Sequence, residues 1–263
     1  MVHAILSDVH ANLPALSAVL IDAARCGAAH VTCLGDLVGY HADVHATIAL
    51  LRERRVSCVA GNHDLMAIGR LPHAGGPLAR SSAAWTAREL TAGERAFLEA
   101  LPLMLHLADG TVLVHALPWS TETRLRSPRD FAEAVEGCRT ASVTSNVCFT
   151  GHTHVAAVVH VDAADRVTES WPSRFARHLG ASGFWFVNPG SVGHPRDGDR
   201  AARYVLYDDV CRTVRFRRVR YDARPTLERD AAHGFAAPPA PRLRAHRARD
   251  FVRALVAPMW GNG

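Results

Sequence analysis

The chain of 263 residues contains neither lysine nor glutamine, so all 30 of its basic residues are arginines. Such a bias is typical of GC-rich coding, which makes the sequence pI of about 9.1 a poor indication of nucleic-acid binding. The charge is also uneven, because residues 221–263 hold seven arginines against four acidic residues, a net +3 of the total +5. The other 220 residues are therefore close to neutral, and no basic stripe marks them as a nucleic-acid surface.

Long apolar runs and paired cysteines are missing as well. No run of 18 apolar residues is present, so we expect no membrane span. The first residues lack the basic start and long apolar stretch of a signal peptide, and the six cysteines form no CxxC pair. We therefore expect a cytoplasmic protein with reduced thiols. The apolar fraction of 48% is enough for a sizeable core.

Short apolar runs alternate with helical patterns in the first part of the chain. Helical segments at Leu13–Arg25 and about Asp43–Arg55 separate three such runs. Strand, helix and strand in alternation predict a parallel α/β sheet. After residue 154 the pattern changes to strands without intervening helices, which predicts antiparallel strands in a second part of the core. Ser127-Pro128 at the start and Gly137 at the end frame a further predicted helix.

The apolar runs end in polar clusters whose side chains can bind a metal. Five clusters occur in chain order: Asp8-Val9-His10, Gly35-Asp36, Gly61-Asn62-His63-Asp64, His115 and Gly151-His152-Thr153-His154. Since the carboxyl ends of parallel strands share one sheet edge, we expect these side chains to converge. Carboxylate, amide and imidazole without thiolate form a mixed oxygen and nitrogen set that suits Mn, Fe, Zn or Co. With 16 histidines one His-x-His pair is expected by chance, but five clusters at strand ends are not.

The order of these clusters resembles that of the calcineurin-like metallophosphoesterases, in which DxH, GD, GNH(D/E), a later His and GHxH follow one another. The flanking segments are similar to those of the small bacterial and archaeal branch: Ser7–Asn12, Gly35–Tyr40, Asn188–Gly193 and Pro195–Gly198. The resemblance covers about residues 1–220 and implies an α/β fold, a four-layer αββα sandwich. Residues 221–263 are then a Pro- and Arg-rich linker and a C-terminal amphipathic segment packed on or near that domain.

The resemblance implies a site for two divalent metal ions with one shared carboxylate. One ion would be held by Asp8, His10, Asp36 and His154, and the other by Asp36, Asn62, His115 and His152. Manganese is the first expectation, with iron, zinc, cobalt or nickel as alternatives. Two divalent cations against two carboxylates leave a charge of about +2, which would attract phosphate and favour hydroxide at the bridging position.

The same resemblance implies roles for neighbouring residues. His63 would contact phosphate and protonate the leaving oxygen, and Asp64 could hold the His63 ring in the useful tautomer. Asn62 would contact the substrate as well as a metal. His41 could reach the mouth of the cleft as a substrate contact, or it could be a surface residue. Arg196 could pair with a phosphate oxygen, and a structural ion pair is an equal alternative.

We therefore expect a phosphoesterase of broad specificity that hydrolyses phosphodiesters, such as model diesters and cyclic nucleotides. The alternatives are a phosphomonoesterase, including a protein serine/threonine phosphatase, and a nuclease that uses the Arg-rich tail. A scaffold without activity would have lost ligands, yet all seven are present. The expected partner is a small phosphoester substrate. We expect no membrane association and no requirement for nucleic acid, and the sequence does not predict an oligomeric state.

Overall fold

Two six-stranded β-sheets form the centre of the protein. The computed structural model describes residues 1–141, 143–170 and 175–235. The strands within these ranges are β1 (Val2–Leu6), β2 (His30–Cys33), β3 (Ser57–Cys58), β4 (Met104–His106), β5 (Val112–Val114), β6 (Val147–Phe149), β7 (Ala157–Val161), β8 (Val167–Ser170), β9 (Arg177–His178), β10 (Phe184–Asn188), β11 (Ala202–Asp208) and β12 (Thr213–Val219). The helices there are α1 (Leu13–Arg25), α2 (Val44–Glu53), α3 (Asn62–Ala67), α4 (Pro77–Glu89), α5 (Ala92–Glu99), α6 (Pro128–Thr140) and α7 (Arg224–Ala232).

Both sheets are mixed. The first has the strand order β3-β2-β1-β11-β12-β9, and the second has the order β4-β5-β6-β10-β7-β8. β1, β2 and β3 run parallel, as their alternation with α1 and α2 predicts. The later strands are not confined to one part of the core. β11 pairs antiparallel with β1 in the first sheet, whereas β10 lies in the second sheet, parallel to β6 and antiparallel to β7.

Alternate residues of each strand face different layers of the core. Ile5 of β1 is buried between the two sheets with Phe149 of β6, whereas the next residue, Leu6, belongs to the cluster that includes α1 and α2. Cys148 of β6 lies on the outer face of the second sheet in one cluster with Phe131 of α6. Helix, sheet, sheet and helix therefore form four layers, which confirms the predicted αββα sandwich.

The helix α6 begins where it is predicted but runs further. The Ser127 side chain caps its first turn, and the helix continues through Gly137 to Thr140. A Cβ atom added at Gly137 would lie only 2.1 Å from the ring of Trp119. Glycine is needed there because the Trp119 ring covers the helix, and it does not end the helix.

Residues 221–235 pack on the domain. The Asn12 side chain donates to Tyr221 Oη at 3.0 Å and accepts from Thr226 Oγ1 at 3.1 Å. The Phe235 ring meets the Trp85 ring edge-on at 5.1 Å. The proline cluster at 238–241 and the amphipathic segment at about 244–256 lie outside the described residues. Among the described helices, none is long and apolar enough to cross a membrane.

Candidate metal centre

The seven predicted ligands come together at the carboxyl ends of β1, β2, β3, β5 and β6. Each has at most 6% of its surface exposed. Five of them have a left-handed backbone, with φ between 50° and 64°: Asp8, His10, Asp36, His152 and His154. A residue with a side chain in this region carries a cost of about 1–3 kcal/mol, and such residues concentrate at functional sites.

Four side chains form the first donor group: Asp8, His10, Asp36 and His154. His10 Nε2 lies 3.2 Å from His154 Nε2 and 3.5 Å from Asp36 Oδ2. Asp8 Oδ1 lies 3.3 Å from His154 Nε2 and 3.9 Å from His10 Nε2. The four donor atoms all lie within 4.8 Å of one another, a spacing that suits one cation with bonds of about 2 Å.

Asp36 also belongs to a second donor group, with His115 and His152. Asp36 Oδ2, the oxygen that faces His10, lies 3.4 Å from His115 Nε2. Asn62 Oδ1 completes the group, 3.0 Å from both His115 Nε2 and His152 Nδ1. One carboxylate oxygen therefore lies between two sets of donors, where a bridging ligand would be.

Histidine lone pairs face one another in the first donor group. His10 Nδ1 donates to the Val38 carbonyl at 3.1 Å, and His154 Nδ1 donates to the His194 carbonyl at 2.5 Å. Burial holds the pKa of both rings well below the usual range, so each neutral ring has its lone pair on Nε2. The two Nε2 atoms lie 3.2 Å apart, and no hydrogen bond can join them because neither carries a hydrogen. His115 Nδ1 likewise donates to a backbone carbonyl, at 2.8 Å. A cation between the rings would satisfy these lone pairs.

Among the described residues, no arginine forms an ion pair with either carboxylate of the site. Burial raises the pKa of Asp8 to about 7, and it raises the pKa of Asp36 well above its usual value. Within the described part of the chain, Asp8 Oδ1 has no hydrogen-bond partner. Divalent cations would supply the missing positive charge and keep both carboxylates ionised. The donor set thus fits two divalent metal ions.

His63 lies beside the first donor group without joining it. Its ring is 4.9 Å from the His10 ring and 4.7 Å from the Tyr40 ring, and its backbone N–H donates to Asp36 Oδ1 at 2.8 Å. The ring packs on Gly39, which has φ +88°, and a Cβ atom there would come within 2.6 Å of His63 Nδ1. Burial, helped by nearby positive groups, lowers the pKa of His63 to about 3, so the ring is neutral at pH 7.

Asp64 does not hold the His63 ring, so the predicted tautomer contact is wrong. Asp64 Oδ1 accepts hydrogen bonds from the backbone N–H groups of Leu37 and Val38 at 2.9 and 3.2 Å. Asp64 Oδ2 accepts from the N–H group of Gly61 at 2.9 Å. His63 Nδ1 has no partner among the described residues. Asp64 therefore ties the loop after β2 to the start of α3, since three backbone donors use its two oxygens.

Both ring nitrogens of His41 lie within hydrogen-bond distance of acceptors inside the protein, so neither is left for a substrate. Its Nδ1 lies 2.6 Å from Asp230 Oδ2 on α7, and its Nε2 lies 3.1 Å from the Gly193 carbonyl. Both partners are acceptors, so both ring nitrogens are used within the chain. His41 joins α7 to the loop after β10.

Arg196 lies beside the first donor group. Its Nη2 donates to Tyr40 Oη at 3.0 Å, and the guanidinium lies 5.9 Å from the centre of the Tyr40 ring. The Tyr40 ring contacts the His10 ring edge-on at 4.6 Å and stacks on the His194 ring at 4.4 Å. In the described residues no carboxylate comes within ion-pair distance of Arg196, so the alternative of a structural ion pair is not found.

Arg124 is a site residue that sequence analysis missed. It lies in the loop between β5 and α6, and its Nε donates to His152 Nε2 at 3.3 Å. It follows no apolar run and belongs to no motif. The path of the loop brings it to the second donor group, and no sequence signal distinguishes it from the nearby Arg126.

Two donor groups that share one carboxylate oxygen, buried where two packed mixed sheets end, define a metallophosphoesterase. The chain belongs to this class, because the calcineurin-like phosphoesterase superfamily domain matches residues 1–210. The match includes all seven ligands and ends before α7.

The chain is also similar to individual proteins. A metallophosphoesterase from Sphaerobacter thermophilus, of known structure, is 32% identical; the alignment covers 98% of this chain and 99% of that one, with a TM-score of 0.76. An uncharacterized protein from Methanocaldococcus jannaschii is 30% identical over 233 residues, which are 86% of this chain and 90% of the relative. A hypothetical protein from Pyrococcus horikoshii shares the fold at 18% identity, with 89% and 94% coverage and a TM-score of 0.68.

Proposed function

We propose that this protein hydrolyses phosphodiesters with the help of two divalent cations, manganese first among them, held by the seven ligands. The observation that carries the proposal is the position of Asp36 Oδ2 between two sets of donors. Bound cations would polarise the phosphoryl group and lower the pKa of a water molecule toward neutrality.

The charge of the ligands and cations, with the flanking arginines left out, favours a diester as the substrate. Two divalent cations against the Asp8 and Asp36 carboxylates leave about +2. A diester monoanion attacked by hydroxide carries about −2 in the transition state, whereas a monoester dianion would carry about −3. The diester therefore balances the charge of the ligands and cations, and the monoester exceeds it.

Two side chains beside the ligands would act on the substrate. His63 would donate a proton to the departing oxygen, since its ring lies next to His10 and is not itself a ligand. An anionic phosphoryl group beside it would raise its low pKa, because an opposite charge favours the protonated ring. Arg196 would hold a phosphoryl oxygen through its guanidinium. Asn62 turns Oδ1 toward His115 and His152, which leaves its amide nitrogen for a substrate oxygen.

The test is a substrate panel on metal-stripped protein to which Mn, Fe, Co, Ni, Zn or Mg is returned. The panel compares bis-p-nitrophenyl phosphate, p-nitrophenyl phosphate, cyclic nucleotides and a phosphopeptide. We expect manganese to restore activity and the diester to be turned over faster than the monoester. A faster monoester would establish the phosphatase alternative. The Asp36→Asn protein, purified identically, controls for contaminating phosphatases.

A further inference from the structure

Two arginines flank the site, one at each donor group. Arg124 contacts the outer nitrogen of His152 in the second group, and Arg196 contacts Tyr40, whose ring lies against His10 in the first. The proposed function uses Arg196 only. Arg124 is at least one-third exposed, so its guanidinium is accessible to a ligand.

Neither guanidinium pairs with a carboxylate among the described residues. Across the described ranges no carboxylate comes within ion-pair distance of Arg124. The nearby Arg203 differs, because it pairs with Asp197 at 2.9 Å and with Asp199 at 3.1 Å. Two unpaired positive charges beside the ligands therefore add about +2 to the site.

The present partner of Arg124 is one that a bound metal would remove. His152 Nδ1 faces Asn62 and the second donor group, and Arg124 Nε uses the lone pair on Nε2 of the same ring. A neutral imidazole has one lone pair and one N–H group. If Nδ1 binds a cation, Nε2 carries the hydrogen and no longer accepts from Arg124. The guanidinium is then free to bind an anion.

We propose that Arg124 binds a second phosphoryl group, linked to the one that is cleaved, so that the substrate contains at least two connected phosphoryl groups. This inference rests on the proposed function. The cleaved phosphoryl group and hydroxide balance the ligands and cations. Arg196 contacts that same group, and the guanidinium of Arg124 is left without an anion. A phosphoryl group offers paired oxygens that match the planar guanidinium. The cleaved group itself keeps diester character, because an internal phosphoryl group has two bridging oxygens.

The experiment measures anion binding and does not depend on turnover. Isothermal titration calorimetry on manganese-loaded protein compares inorganic phosphate with methylenediphosphonate, at a free manganese concentration that is buffered equally in cell and syringe. The variants are Arg124→Met and Arg126→Met. Arg126 lies in the same loop and carries the same charge, so it is the matched control. Elemental analysis checks that both variants keep two metals.

Arg124→Met should weaken methylenediphosphonate binding at least tenfold and phosphate binding less than twofold, because a hydrogen bond to a charged group is worth at least a factor of ten. Arg126→Met should change neither by more than twofold. Equal losses for both anions would place Arg124 on the cleaved group and overturn the inference. Equal losses in the Arg124 and Arg126 variants, or no loss in either variant, would also overturn the inference. Failure of the substrate panel would reject the proposed function separately, since the calorimetry needs no hydrolysis.

Discussion

Asp230 connects α7 to two loops beside the metal centre. Its Oδ2 lies 2.6 Å from His41 Nδ1, and its Oδ1 accepts from the Ala42 backbone N–H at 3.1 Å. On its other side, His41 Nε2 lies 3.1 Å from the Gly193 carbonyl. The bridge therefore holds the loop of Tyr40 against the loop after β10, and Asp230→Ala should loosen both.

The size of the effect follows from burial. The side chains of Asp230 and His41 are 7% and 14% exposed. Leaving a buried hydrogen-bonding group without its partner costs about 1–3 kcal/mol, and we take about 3 kcal/mol because Asp230 accepts two such bonds. For a domain of this size each 1 kcal/mol lowers Tm by about 2–4 °C. We therefore expect Asp230→Ala to lower Tm by about 6–12 °C.

The assay combines calorimetric Tm with kcat/KM for bis-p-nitrophenyl phosphate, measured well below the transition. We expect kcat/KM to fall about tenfold with two metals still bound, because small displacements of positioning groups are costly to catalysis. Glu228→Ala is the matched control, since Glu228 is an exposed acid on the same helix. It should change the free energy of unfolding by less than about 0.5 kcal/mol and leave kcat/KM unchanged.

Equal Tm and kcat/KM for the Asp230 and Glu228 variants would refute the bridge. Two shortened chains test the same reasoning without a point substitution. A chain of residues 1–237 keeps α7, and its turnover of a small diester should stay within a few-fold of the full chain. A chain of residues 1–220 loses α7 and should be far less stable. If both chains were equally stable and active, α7 would be dispensable and our account of it mistaken.

Three further changes probe other parts of the molecule. Asp36→Ala should lower metal content at both positions and His154→Ala mainly at one, because only Asp36 faces both donor groups. Elemental analysis measures the metal content, and two tightly held metals in the Asp36 variant would exclude bridging. His63→Ala should slow hydrolysis of a cyclic nucleotide by about 10²–10⁴-fold and that of bis-p-nitrophenyl phosphate far less. The reason is that the ribose alkoxide needs a proton to leave, whereas p-nitrophenolate leaves as an anion. Equal losses for the two substrates would show that His63 only positions the phosphoryl group. Asp22→Asn should lower the free energy of unfolding by about 1 kcal/mol at pH 7, because Asp22 accepts two hydrogen bonds from Arg217. As Arg217 lowers the pKa of Asp22, this stability is present above about pH 4 and lost below it, where urea midpoints of the two proteins should converge.

The convergence of the candidate metal ligands could be predicted because the strand ends follow from local sequence, whereas their division between two ions came from the family resemblance. Asp8 and Asp36 come directly after short buried strands, and the carboxyl ends of parallel strands share an edge. The later strands could not be assigned to a sheet from the sequence, since β10 and β11 have similar apolar patterns yet lie in different sheets. Their sorting depends on long-range pairing with β6 and β1, which no local pattern encodes.

The remaining differences between the predicted and the observed site also arise from contacts between segments that are distant in sequence. His41 meets Asp230 across 189 positions of the chain, so its sequence neighbours do not show the pairing. Arg124 and Arg126 are alike in sequence, and the course of one loop decides which of them reaches His152. Such contacts depend on tertiary structure and have no periodic signal.

In each carboxylate of the metal centre, one oxygen accepts a backbone hydrogen bond and the other faces the donor atoms. Asp8 Oδ2 accepts from the His152 backbone N–H at 3.2 Å, while Oδ1 faces His154 Nε2 at 3.3 Å. Asp36 Oδ1 accepts from the His63 backbone N–H at 2.8 Å, while Oδ2 faces both donor groups. One oxygen of each thus helps to fix loops whose left-handed residues would otherwise be costly, and the other remains open to a cation. Because protein hydrogen bonds hold the loops, a metal ion would enter a set of donors that is already assembled.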